Sequence, residues 1–105
     1  MAAQHYFADT ADGYHLDDPS HAAIVVLIDE LNYRDNTYMT VKPVGDASEW
    51  CVTVTLRLDE IYQADLREAP GRDPVVVTGT DPRSVAQDVI GWLEAHSGVS
   101  LAPEP

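Results

Sequence analysis

The sequence predicts an α+β fold: an antiparallel four- to five-stranded sheet with two helices on one face, in the order β-α-β-β-β-β-α. Three observations predict it. Between Trp50 and Leu58 apolar and polar residues alternate strictly, the period of a half-buried strand. Two stretches, residues 20–33 and 82–97, repeat their apolar residues at helical spacing, and each starts at an Asp-Pro pair, Asp18-Pro19 or Asp81-Pro82. Turn formers (Asp12-Gly13, Pro43 with Gly45, Pro70-Gly71) cut the remainder into strand-length runs.

A chain of 105 residues is one domain in size, with the domain expected over residues 1–101 and a loose tail at 102–105. Its 45% hydrophobic content argues for a packed core despite the charge imbalance. Eighteen acidic residues against six basic ones give a net charge of -12. A phosphate-tracking surface needs clustered Lys and Arg, so nucleic acid and anionic membranes are excluded as partners. Three readings of the acidity stay open: a general solubility bias, a face complementary to a basic partner, and mimicry of nucleic-acid charge. The carboxylates are scattered, as a bias predicts. The lone Cys51 implies no internal disulfide. Met1-Ala2-Ala3-Gln4-His5 lacks the basic and apolar regions of a signal peptide, and no apolar run has membrane-spanning length, so a cytoplasmic location is expected.

Taken in order, residues 4–8 read as a short strand and residues 9–17 as a loop turning at Asp12-Gly13. Asp18 reads as the N-cap of the first helix and Pro19 as its first residue. From residue 20 to 33, Ile24, Leu27, Ile28 and Leu31 share the core-facing side, while Ala22, Val26 and Tyr33 make a thinner second stripe. That stripe is either covered by another segment of the chain or is a contact for a partner or a second copy. After a turn at Arg34-Asp35-Asn36, residues 37–42 form a strand with Met39 and Val41 inward and Tyr38, Thr40 and Lys42 outward. The next strand, residues 50–58, places Trp50, Val52, Val54, Leu56 and Leu58 inward and Cys51, Thr53, Thr55 and Arg57 outward. A one-residue slip would expose five large apolar side chains, so its register is well specified. Residues 61–67 follow with Tyr62, Ala64 and Leu66 inward; after the Pro70-Gly71 turn, residues 75–78 read as a buried strand. Asp81 caps the last helix, whose inward stripe is Val85, Ala86, Val89, Ile90 and Leu93, with Trp92 on its flank and Gly98 at its end.

Few patterns carry chemistry. His15, Asp17 and His21 lie close together and are weak candidate metal ligands, but their spacing matches no standard pattern, and no cofactor is expected. The turn at Thr78-Gly79-Thr80-Asp81 suits an anion, yet Asp81 puts a negative charge at the same spot and no Gly-Lys-Ser/Thr sequence is present. Cys51 sits within a regular strand without a neighbouring His. The outward residues of the sheet, Tyr38, Thr40, Lys42, Thr53, Thr55 and Arg57, and the stripe Ala22, Val26 and Tyr33 are therefore the candidate contact residues for a partner.

Asp17-Asp18-Pro19, the helix through Leu27-Ile28-Asp29-Glu30-Leu31, then Asn36-Thr37-Tyr38-Met39-Thr40-Val41 and Glu49-Trp50-Cys51-Val52-Thr53-Val54 form a layout over residues 15–67. It resembles that of the small acidic immunity proteins that accompany polymorphic toxins in actinobacteria. The resemblance implies a stoichiometric inhibitor that occludes a basic toxin, its carboxylates speeding association and adding discrimination. The expected function is non-enzymatic protein binding. The alternatives are a small-molecule-binding domain or small enzyme, which needs a concave site with converging polar groups, and a structural homodimer formed by self-association through the sheet or the first helix.

Overall fold

The computed structural model describes residues 5–44, 50–69 and 71–97. Its elements run β1 (Tyr6–Thr10), β2 (His15–Asp17), α1 (His21–Asp29), β3 (Tyr38–Pro43), β4 (Cys51–Leu56), β5 (Tyr62–Arg67), β6 (Val75–Gly79) and α2 (Pro82–Ser97). The strands form one antiparallel sheet in the spatial order β2-β1-β3-β4-β5-β6. The α+β class is as predicted, with six strands in place of four to five. Among the described residues no helix is long and apolar enough to cross a membrane.

Register accounts for the core. One rung runs Ala8, Val41, Val52, Leu66, Val75, and the next runs Thr10, Met39, Val54, Ala64, Val77, each residue opposite the one before it. Side chains of both rungs point to the same face, as residues two apart on a strand must. Onto that face α1 sets Ile24, Leu27 and Ile28, and α2 sets Val85, Ala86, Val89, Ile90 and Leu93, the stripes read from the sequence. Burial of each such Val, Ile or Leu contributes on the order of 1.5–3 kcal/mol. Trp50 links the layers: its ring meets Tyr6 edge-on at 6.1 Å and Trp92 edge-on at 5.9 Å.

Five expectations are corrected. The predicted loop at residues 9–17 holds the end of β1 and all of β2. The Asp12-Gly13 turn is where it was expected, with Gly13 at φ +92 and Gly13 N–H donating to Thr10 O at 3.0 Å, but it closes a hairpin. Three residues with only Leu16 apolar leave too short a pattern to read as β2.

The cap of α1 is Ser20, whose hydroxyl accepts from Ala23 N–H at 3.1 Å. Asp18 adopts φ +47 and turns back to β1, where its carboxylate accepts from His5 N–H at 2.8 Å and Tyr6 N–H at 3.3 Å. Pro19 thereby precedes the helix instead of opening it.

The helix also ends early. Glu30 N–H donates to Val26 O, Leu31 N–H tightens onto Ile28 O, and Asn32 starts a new turn with its side-chain oxygen accepting from Arg34 and Asp35 N–H. Tyr33 is therefore not on α1, and Ala22, Val26 and Tyr33 form no helical stripe.

Leu58, expected inward, is 93% exposed. β4 stops at Leu56, and residues 57–61 form a turn closed by Glu60 N–H on Arg57 O, with Glu60 at φ +66. Finally, β6 is an edge strand and not a buried one: Val75 is 56% and Val76 53% exposed. α2 behaves as read, with Asp81 Oδ1 accepting from Arg83 N–H at 3.1 Å. Gln4, the Gly45 turn, Pro70, Gly98 and the tail at 102–105 lie outside the described residues.

Candidate functional site

Because both helices use one face of the sheet, the alternate residues of every strand make up a second face that neither helix stripe packs against. Its central rung crosses all six strands: His15, Asp9, Thr40, Thr53, Asp65, Val76. A second rung runs Tyr38, Thr55, Gln63, Thr78, and a third begins Asp17, Phe7, Lys42. Of the predicted contact residues, Tyr38, Thr40, Lys42, Thr53 and Thr55 are thus brought together on one surface. Arg57 sits beyond the end of β4, where its guanidinium pairs with Asp59 at 2.8 Å.

The face is a strip of hydroxyls and short polar groups with apolar or aromatic side chains at intervals and carboxylates toward its sides. Asp65 is steadied by Gln63 Nε2 at 3.0 Å. At the β2 edge His15 is clamped: Nδ1 lies 2.6 Å from Asp9 and Nε2 2.7 Å from Asp17, and the ring leans on Phe7 at 5.3 Å between centroids. Hydrogen bonds to Asp9 and Asp17 hold the imidazole pKa above its ordinary value, because both carboxylates favour the doubly protonated ring.

The two ring nitrogens face separate carboxylates, so His15 bridges Asp9 and Asp17. His21 opens α1 and makes no part of the cluster. Among the described residues no group of three or more His, Cys, Asp or Glu side chains is arranged to hold a metal ion.

The second candidate set separates. Ala22 and Val26 lie on α1, while Tyr33 reaches the β4–β5 end, its hydroxyl donating to Arg57 O. There it stands between two shallow concavities. One of about 510 Å³ is lined by Thr37, Thr55, Leu56, Arg57, Leu58 and Asp59 as well as Tyr33. The other, about 420 Å³, adds Glu60, Tyr62 and Thr80. Between the β1–β2 turn and the end of α1 lies a further cleft of about 320 Å³ whose lining includes Thr10, Asp12, Tyr14, Glu30 and Asn36. Asn36 is 5% exposed, and its side-chain oxygen has no hydrogen-bond partner among the described residues.

Sequence reasoning missed Phe7, Asp9, Gln63, Asp65, Val76 and Thr78 on the open face. A signal existed for Gln63 and Asp65, which alternate with the inward Tyr62, Ala64 and Leu66. For Phe7 and Asp9 the deciding fact is the pairing of β1 with β3. Comparison with protein-family models, with curated proteins and with solved structures gives no match.

Proposed function

We propose that this chain is a non-enzymatic protein-binding protein of the immunity type, which holds a basic partner on the open face of its sheet. One observation carries the proposal: a complete rung of six residues, His15 to Val76, crosses a sheet face that lies opposite both helices. The face has the character of a contact surface. Threonines at its centre present little side-chain entropy to lose, Phe7, Tyr38 and Val76 supply apolar anchors, and Asp9, Asp17 and Asp65 supply charge opposite in sign to a basic partner. With a net charge of -12 the whole chain adds long-range attraction, which raises the association rate for such a partner.

The test is capture of the partner from the native host, followed by titration of the purified pair. Thr53→Arg, which plants a long cation in the middle of the rung, weakens binding at least about tenfold, a loss of about 1.4 kcal/mol. Val26→Arg on α1 leaves it unchanged. The reverse pattern places the contact on α1 and refutes the assignment of the face.

A second reading is favoured by the orphaned Asn36 oxygen beside the 320 Å³ cleft: a small donor-bearing ligand held near Asp12 and Glu30. A buried acceptor left unpaired costs on the order of 1–3 kcal/mol, which a ligand N–H or O–H would recover. Shifts in the Asn36 amide resonances on addition of small amines or polyols support it, and their absence across such a panel removes it.

A further inference from the structure

Among the described residues the Asn36 oxygen is the one buried side-chain polar atom without a partner, and Asn36 lines the cleft of about 320 Å³ between the β1–β2 turn and the end of α1. Buried residues, Thr10, Leu27 and Asn36, make the floor of that cleft, and exposed ones, Asp12, Tyr14 and Glu30, make its rim. Two of the polar side chains that line it are already engaged. The Thr10 hydroxyl donates to Asp12 and accepts from Tyr14 N–H at 3.0 Å. Asn32 turns its side-chain oxygen to Arg34 and Asp35 N–H, and its nitrogen donates to Glu30 O at 3.3 Å. Three acceptors remain to the cleft: the Asn36 oxygen, the second oxygen of Asp12 and the Glu30 carboxylate. Among the described residues neither carboxylate is in an ion pair.

We propose that this cleft binds a primary ammonium group carried on a short alkyl stem, an inference that rests on the reading of the cleft as a ligand site. An ammonium has three N–H donors and no acceptor, which matches the three acceptors one for one. Its charge answers Asp12 and Glu30 and is drawn in by a chain of net charge -12. Donation to Asn36 removes the cost of a buried oxygen left without a partner. Leu27 and the Tyr14 ring offer the stem apolar contact, as the methylenes of a lysine find beneath its charged head.

Other ligand classes fit less well. An anion meets Asp12 and Glu30 as like charges. A neutral alcohol can serve the Asn36 oxygen but leaves both carboxylates unanswered. A divalent metal ion asks for more oxygen ligands than two carboxylates and an amide supply, and among the described residues no group of three or more His, Cys, Asp or Glu could hold one. The volume stands at the low end of ligand pockets, which run from about 300 to about 1,000 Å³, so the stem is a few carbons long.

NMR titration of the full chain with n-butylamine, its charge carried as the ammonium, tests the proposal, read at the Tyr14 and Asn36 amides. A dissociation constant on the order of 1 mM is expected for a ligand this small, weakening several-fold as salt rises from about 50 to about 500 mM. n-Butanol, the uncharged counterpart, should bind at least about tenfold more weakly. Glu30→Gln and Asp12→Asn lie on the exposed rim, where the fold tolerates them, and each should weaken butylamine about three- to tenfold. Asn36→Leu, read at Tyr14 and checked for folding by circular dichroism, should weaken it at least about tenfold. Nα-acetyl-lysine amide separates the two sources of such a group. Binding as tight as that of butylamine assigns the ammonium to a lysine side chain of another protein, binding of butylamine alone assigns it to a free amine, and either supports the three-acceptor cradle. Butanol that shifts the Asn36 resonances as strongly as butylamine keeps the ligand site and overturns the ammonium. Resonances that move with neither overturn both. Butylamine binding that is indifferent to Glu30→Gln and Asp12→Asn overturns the proposal as well, since it would then be attraction to the acidic surface at large.

Discussion

Replacing Tyr6 by Phe should make the protein less stable at neutral pH and more stable than the wild type in alkali. Tyr6 is 1% exposed, and its hydroxyl donates to Pro19 O at 3.4 Å. Burial, followed by the charges of Asp18 and Glu94, pushes its pKa up from 10.0 to about 12. At neutral pH the substitution removes one long hydrogen bond and leaves Pro19 O to other partners, a loss of about 1 kcal/mol. In alkali the unfolded chain releases the phenolic proton first, so the folded state holds more protons and loses stability as pH rises. The wild-type contribution is therefore complete below pH 10 and falls until the folded group itself ionises near 12.

Each unit is worth about 1.4 kcal/mol, so the full loss approaches about 2.7 kcal/mol, and it reaches 1 kcal/mol near about pH 10.7. At that pH the two proteins should be equally stable. Urea unfolding at a series of pH values from neutral to strongly alkaline checks this, because every other group is common to both proteins and cancels in the difference. A stability difference that stays constant with pH would refute the burial argument for Tyr6. One that shrinks without changing sign would show that the hydroxyl's bond to Pro19 is stronger than 3.4 Å suggests.

Further outcomes follow from the same geometry. His15 should titrate above the ordinary histidine value of 6.5 in an NMR pH series. Its contribution to the β1–β2 hairpin is present below that value and is lost as pH rises through the raised one. Asp17→Asn should bring the titration back down, and a His15 titrating at or below 6.5 would contradict the clamp. Ser20→Ala should cost about 1 kcal/mol of unfolding free energy through loss of the α1 cap. Asp18→Ala should cost more, about 1–3 kcal/mol, because it frees His5 and Tyr6 N–H and puts an alanine at φ +47. Equal costs measured by chemical denaturation would reinstate Asp18 as a mere cap. Gly91→Ala should raise stability by about 1 kcal/mol, read as a higher denaturation midpoint, since an added Cβ there meets nothing within 4 Å and glycine is a poor helix former.

Which of these features could be read in the sequence depends on whether the deciding contact is local. The alternation in residues 50–56 and the helical period of 85–93 are local, and both core stripes stand where they were read. The choice between Asp18 and Ser20 as cap is not: both are good cap residues, and the choice turns on β1 offering two N–H groups to Asp18 from the far side of a hairpin. Leu58 failed for a related reason. Alternation continues past Leu56 as letters, but pairing ends there, and nothing within residues 50–58 marks the turn that Glu60 makes in a left-handed conformation. A run of three valines reads as a strand buried on both faces, and only the order of strands makes it an edge.

The same distinction divides the two candidate surfaces. Which side chains share the open face is a matter of parity along each strand, so Tyr38, Thr40, Lys42, Thr53 and Thr55 were identifiable before any pairing was known. Which strand lies outermost is a matter of topology, so the β6 edge appears only once the six strands are ordered. One surface is a face rich in side chains and suited to recognising a different molecule through charge. The other is backbone and valine at the sheet's edge, with Asp65 opposite Val76 on the neighbouring strand. Thr53→Arg acts on the face alone, whereas Val76 anchors that face and also lies on the β6 edge, so a charge placed at Val76 reaches both.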